Sequence, residues 1–268
     1  MKSLLHLMRV LIFLCLLLAG LNQPASSSQT AQTNEQKARR VLDKMIAALG
    51  GQAYLTLQDS YSEGRYGRFH NEVMAASNVF FRYWKWPDQE RYEVTEQRDV
   101  VYIFVGDREY EVIYRGSTEL NPQKDDNVRQ ALLRRRHSLD TVLRTWLNAP
   151  GTILLDEGQT VGESRMAEKI TIINANNDAV TLLVSTDNYL PVEKIFSVRD
   201  PQTRDRDEEV EIYGNWRMVQ GVNTPYSTQI KRNGALLRTE SLSTITYNTH
   251  PPDSYFSPNA GLIKHASK

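Results

Sequence analysis

The chain has 268 residues with 32 basic and 32 acidic side chains, so it has no global field to hold a phosphate backbone, and nucleic acid is excluded as a partner class. Its only cysteine, Cys15, falls in an apolar N-terminal run, leaving the rest without a disulfide, thiol nucleophile or thiolate metal site. An ordinary hydrophobic core must hold the fold, and this length can bury one.

Lys2 and Arg9 supply a basic flank, Val10 to Ala19 is unbroken apolar sequence, and Pro24, Ala25, Ser26, Ser27 and Ser28 follow. That order predicts a secretory signal peptide over residues 1–27, its run about half of the roughly 20 residues that cross a bilayer. Cleavage fits after Ser27 or near Ala31. Cys15 follows Ile12, Phe13 and Leu14 rather than the small residues of a lipid-attachment site. Residues 28–33 read as a flexible leader, 34–258 as one domain and 259–268 as a tail.

A helix is expected next. Thr33 and Gln36 have capping-box spacing, and Ala38, Val41, Leu42, Met45, Ile46 and Leu49 share one face. Gly50 and Gly51 supply a left-handed stop. Strands are predicted over Tyr54–Phe69, Ala76–Trp86, Glu90–Gln97 and the hairpin Val100–Val105/Glu109–Arg115, which turns at Gly106-Asp107. With no helix between them, these strands form an antiparallel meander. Val79, Phe80, Phe81, Tyr83, Trp84 and Trp86 crowd one strand, with Arg82 the only charge before Lys85. Such a strand has either one face for a ligand or partner, or both faces covered by core.

A second helical stretch spans about 125–147, with Val128, Leu132, Leu139, Val142, Leu143, Trp146 and Leu147 on its apolar side and a break near Ser138. Its cluster Arg134, Arg135, Arg136 and His137 reads as a solvated face, or else as a contact for an anionic head group. Six further strands are expected: Lys169–Ile173, Val180–Ser185, Leu190–Val198, Glu208–Tyr213, Tyr226–Lys231 and Ala235–Tyr247. Asn233-Gly234 is the strongest hairpin signal in the chain. Pro251, Pro252 and Pro258 mark an extended covering tail.

Catalytic signatures do not assemble. His70, His137, His250 and His265 lack a histidine or cysteine partner at zinc spacing, and Gly116-Ser117-Thr118 lacks the second glycine of a nucleophile elbow. There is no phosphate-cradling glycine loop. Asp205, Asp207, Glu208 and Glu209 alternate with arginines and have no glycine turn, so they read as a solvated hairpin loop rather than a calcium site. No catalytic residue, cofactor or metal site is assigned.

Several stretches resemble the LolA-like proteins, the outer-membrane lipoprotein-sorting and lipoprotein-carrier family. They are Ala38-Arg39-Arg40-Val41-Leu42-Asp43-Lys44-Met45-Ile46-Ala47-Ala48-Leu49-Gly50-Gly51, Asp187-Asn188-Tyr189-Leu190-Pro191, Trp216-Arg217-Met218-Val219-Gln220-Gly221-Val222, and Tyr247-Asn248 before Phe256. The resemblance implies an α+β fold, an unclosed and strongly curved antiparallel β-barrel whose concave face is covered by helices. It also implies a periplasmic location and non-covalent binding of acyl chains of lipids or lipoproteins. On this basis about eleven strands and a non-catalytic, carrier-like protein are expected, a monomer with transient membrane contact. Alternation and helical face nominate Phe81, Tyr83, Leu182 and Val184 on strands, with Leu143 and Trp146 on the second helix, as ligand-binding residues. Two other readings stand beside it: an envelope sensor or scaffold that binds a protein partner through the same fold, and a secreted hydrolase built from dispersed acids and histidines.

Overall fold

A computed structural model describes residues 32–113, 116–199 and 204–263. The expected signal peptide and most of the leader lie outside these residues, as does His265. From Asn34 onward the chain forms a compact unit. No helix among the described residues is long and apolar enough to cross a membrane.

The first helix, α1 (Asn34–Leu49), buries Ala38, Leu42, Met45 and Leu49, the stripe its spacing predicts. Gly50 and Gly51 end it with positive φ. A Cβ on Gly50 would collide with the Gly221 carbonyl, so this corner requires glycine for space as well as conformation. The single turn α2 (Gln52–Leu55) follows, where a strand was expected to begin at Tyr54.

Thirteen antiparallel strands make one open sheet, in the order β6-β5-β4-β3-β2-β1-β13-β12-β11-β10-β9-β8-β7. Their ranges are β1 Asp59–His70, β2 Val73–Lys85, β3 Gln89–Val94, β4 Val100–Val105, β5 Arg108–Ile113 and β6 Gly116–Leu120. After the helical region come β7 Ile153–Gly162, β8 Arg165–Ile173, β9 Ala179–Ser185, β10 Pro191–Arg199, β11 Arg206–Val219, β12 Val222–Arg232 and β13 Ala235–Tyr247. The first strand pairs with the last, Ser60 opposite Tyr247, so two meanders join at the middle of the sheet. The count exceeds the expected eleven because β6 and β7, the two edges, were not recognised. Their sequences, Gly-Ser-Thr-Glu-Leu and a strand interrupted by Gly158, lack strong alternation.

Between β6 and β7 lie α3 (Asp126–Arg136) and α4 (Leu139–Thr141), the latter running into a π-helical turn over Val142–Trp146, and the tail forms two short 3-10 turns, Asp253–Phe256 and Pro258–Ala260, where extended chain was expected. The expected break falls at Ser138, whose hydroxyl accepts from the Thr141 amide at 3.2 Å. The tail covers the sheet's other face: buried Arg91 donates to the carbonyls of Tyr255 at 3.3 Å and Gly261 at 3.1 Å.

Candidate ligand-binding cavity

Two kinds of interior lie between the sheet and its helices. Under α1, Leu42, Met45 and Leu49 close onto Ile170, Ile172 and Phe196 in a continuous core. Toward the middle of the sheet, β1 turns two small residues into this space, Ser60 and Ser62, before Gly64, over which the Phe80 ring packs. Thr224 and Thr228 on β12 are also short. Helices span this low ground without filling it, leaving a cavity of about 600 Å³. Small-molecule sites occupy roughly 300–1,000 Å³.

Its walls mix aromatic, aliphatic and charged side chains. Trp84 and Trp86 stand 6.2 Å apart on one side, Tyr213 and Trp216 6.2 Å apart on another, and Tyr226 and Tyr247 also contribute. From the helices come Tyr54, Leu132, Leu139 and Asp140. Burial raises the pKa of the Asp140 carboxyl, while Tyr54, Arg144 and Lys194 pull it back without cancelling the shift. Burial, then the nearby Asp140 charge, raises the Tyr54 phenol well above its usual value. The Tyr54 hydroxyl faces the Asp140 carboxyl, and the two interact. Close by, Tyr213 donates to Glu211 at 2.7 Å, and the fully buried Lys194 lies 2.9 Å from the same carboxylate.

A charged lattice rims the cavity. Arg82 lies 2.8 Å from Glu240 and 3.4 Å from Glu90, and Arg238 lies 2.7 Å from Glu240. Burial opposes charge on Glu240, but Arg82 and Arg238 outweigh it and hold the carboxyl at about 2. The arginine run of α3 belongs to this lattice, which corrects its reading as a solvated face. Arg134 reaches Glu209 at 2.9 Å, Arg135 reaches Glu90 at 2.5 Å and Arg136 reaches Asp107 at 2.8 Å. At the other end of α3, Asp126 pairs with Arg232 at 3.0 Å. The helix is therefore a strap tied to β3 and the β4–β5 turn on one side and to β11 and β12 on the other. Glu209 was expected in a solvated loop but is 2 % exposed beneath that strap, while Asp205 and Glu208 face water. His137 is a core residue, stacked 4.6 Å from Phe196 with Nδ1 2.8 Å from the Leu133 carbonyl.

None of the six residues nominated from sequence lines this cavity. Leu143, Trp146, Leu182 and Val184 meet in the closed core beneath α1. Phe81 and Tyr83 project from the opposite face of β2: Arg98 lies 3.5 Å over the Phe81 ring, and Tyr83 packs on Tyr61 and Tyr255. Both faces of β2 are thus covered, and its cavity-facing set is Arg82 and Trp84. Arg82 is held on the inner face by Glu90 and Glu240, since a buried arginine needs such partners. Tyr54 and Asp140 carried no sequence signal, being single residues beside chain breaks. Among the described residues no group of three or more His, Cys, Asp or Glu side chains is placed to hold a metal ion.

No protein-family model matches the chain, and no curated protein matches it by sequence. Solved structures do match. A structure described as an outer membrane lipoprotein-sorting protein domain from Vibrio parahaemolyticus superposes with a TM-score of 0.54 at 7% identity, covering 85% of this chain and 99% of that one. A LolA superfamily protein from Nitrosomonas europaea gives 0.52 at 11% identity, covering 82% and 97%. The fold is LolA-like. A DUF1329 family protein from Desulfovibrio piger shares it, with a TM-score of 0.52 at 14% identity over 86% of this chain and all of that one. At such identities the likeness concerns the fold, so what the LolA-like sheet encloses here must be read from this chain's own residues.

Proposed function

We propose that this protein is an exported, periplasmic binding protein that shelters the acyl chain of a lipid or lipoprotein without chemical change. The observation that carries this reading is the cavity of about 600 Å³ beneath the α3 strap, with four tryptophan and tyrosine side chains, Trp84, Trp86, Tyr213 and Trp216, in its walls. Each methylene moved from water into such a space is worth roughly 0.8 kcal/mol, so about ten supply roughly 8 kcal/mol before the costs of association. Affinity of this kind needs no polar fingerprint. That is how the activity leaves so little trace in sequence.

The test is titration with a dansyl-labelled fatty acid, read by energy transfer from the tryptophans at the wall, Trp84 and Trp86. Saturable binding is expected, and Thr228→Trp should abolish it by filling the cavity from a half-buried position. Circular dichroism checks that the variant folds. Undiminished binding in Thr228→Trp would place the ligand elsewhere. No binding to the unaltered protein, together with saturable capture of an envelope protein, would favour the sensor or scaffold reading.

A further inference from the structure

Contacts around the cavity fix its size. Leu49, which ends α1, belongs both to the closed core and to the cavity wall, so the space stops where that packing begins. Toward β12 and β13 the wall is pinned by a hydrogen bond of 2.6 Å between the hydroxyls of buried Thr224 and Tyr247. Overhead, α3 is tied on both sides, by Arg135 to Glu90 at 2.5 Å and by Arg134 to Glu209 at 2.9 Å. The cavity meets water chiefly at one corner, where the lining residues Pro87, Asp88, Asp107 and Arg136 are exposed. That corner is also cross-linked: Arg136 pairs with Asp107 at 2.8 Å, and the Gly106 amide donates to the Asp88 carbonyl at 3.2 Å.

We propose that this cavity takes one acyl chain, that of a singly acylated amphiphile such as a free fatty acid or a lysophospholipid, and excludes lipids with two or three chains. The inference rests on the cavity being an acyl-chain site and names the class of lipid it takes. Volume decides it. A chain methylene fills about as much space as a water molecule, roughly 30 Å³, so the cavity of about 600 Å³ holds roughly 20 chain carbons. One chain of about 16 to 18 carbons fits, whereas a pair of them needs about 1,000 Å³. The second chain of a diacyl lipid would stay in water, and each methylene left there forgoes about a fourfold gain in affinity. The exposed corner is charged, so the polar head group stays there in contact with water while the chain lies inward.

The experiment loads the protein from CHAPS mixed micelles holding equal amounts of palmitoyl-lysophosphatidylcholine and dipalmitoylphosphatidylcholine, and reads the bound mass by native mass spectrometry. The two lipids share a head group and differ in chain number. One lysophospholipid per protein is expected, with the diacyl lipid bound at least about tenfold less. A series of saturated fatty acids delivered from cyclodextrin supplies a second reading. Affinity should rise about fourfold per methylene and level off near about 18 to 20 carbons, where the cavity is full. Equal occupancy by the diacyl lipid, or two lysophospholipids per protein, would overturn the proposal while leaving the acyl-chain reading intact. So would an affinity that still rises beyond about 22 carbons. If neither phospholipid nor any fatty acid of the series binds, the acyl-chain reading itself fails.

Discussion

Helices α1 and α3 cover the same face of one sheet by opposite means. The first lays Ala38, Leu42, Met45 and Leu49 into a dry core and makes no ion pair to the strands beneath that core among those described. The second sets down only a small apolar patch, Val128 and Leu132 on Phe104, and is otherwise tied by Arg134, Arg135 and Arg136. Apolar burial changes little with pH or salt, whereas ion pairs depend on both. The lesson is that α1 belongs to the permanent structure, while the element bounding the cavity is held by contacts that solution conditions can loosen. That division lets the cavity open without disturbing the core.

Four measurements break or sharpen this comparison. The largest effect is expected at α1, where Met45→Ala should cost about 2–5 kcal/mol in urea unfolding, because the closed core cannot collapse onto the lost volume. A cost below about 1 kcal/mol would mean that α1 is no better packed than α3. At the strap, Arg134→Met should cost about 3 kcal/mol at neutral pH, as it strands Glu209 in a buried site with Arg232 4.0 Å away as its remaining partner. Replacing both Arg134 and Glu209 by apolar residues should recover most of that loss, which a double-mutant cycle will show.

The third measurement concerns Glu109, which is 6 % exposed on β5 with Oε2 making no hydrogen bond. Burial and then the neighbouring Glu90 charge raise its carboxyl from the ordinary 4.5 to about 7, against the pull of Arg135. The folded state thus holds this proton more tightly than the unfolded chain. Its contribution is full below about pH 4.5 and is lost as the pH rises through 7. Glu109→Gln should flatten that fall and stabilise the protein at pH 8 by about 2 kcal/mol. An unchanged pH profile would show that Glu109 does not titrate in this range. Glu240 acts in the opposite sense, since its stabilisation is lost only as the pH falls toward about 2. The smallest effect is expected at Arg136→Ala, below about 0.5 kcal/mol and abolished by salt, because both Arg136 and Asp107 are exposed.

The same contrast explains what could be read from sequence. Apolar periodicity carried α1, the break at Ser138 and the strong strands, because burial imposes a period on the residues that undergo it. The tight turns at Gly106-Asp107 and Asn233-Gly234 were legible for a similar local reason. Ion pairs impose no period. Glu209 and Arg134 are 75 residues apart, and nothing near either names the other. The arginine run therefore looked like a solvated surface until the sheet curved beneath it. The edge strands β6 and β7 escaped notice because an edge needs partners on one side only and tolerates weak alternation. For the cavity, alternation gave two faces of β2 without saying which lay inside, so Phe81 and Tyr83 were nominated in place of Arg82 and Trp84. Choosing apolar residues as lining also led to Leu143, Trp146, Leu182 and Val184, where packing is complete. The cavity arises instead where β1 supplies Ser60 and Ser62. An empty space is written in small residues, and small residues look like nothing in particular.

The central claim is that the space beneath α3 holds a lipid. Native mass spectrometry of the protein purified from a periplasmic extract, followed by solvent extraction and analysis of the released material, tests it most directly. A discrete mass excess that extracts as an acylated molecule, and that disappears in Thr228→Trp, is the result predicted. A mass equal to that of the polypeptide alone, unchanged after incubation with monolaurin, would contradict it.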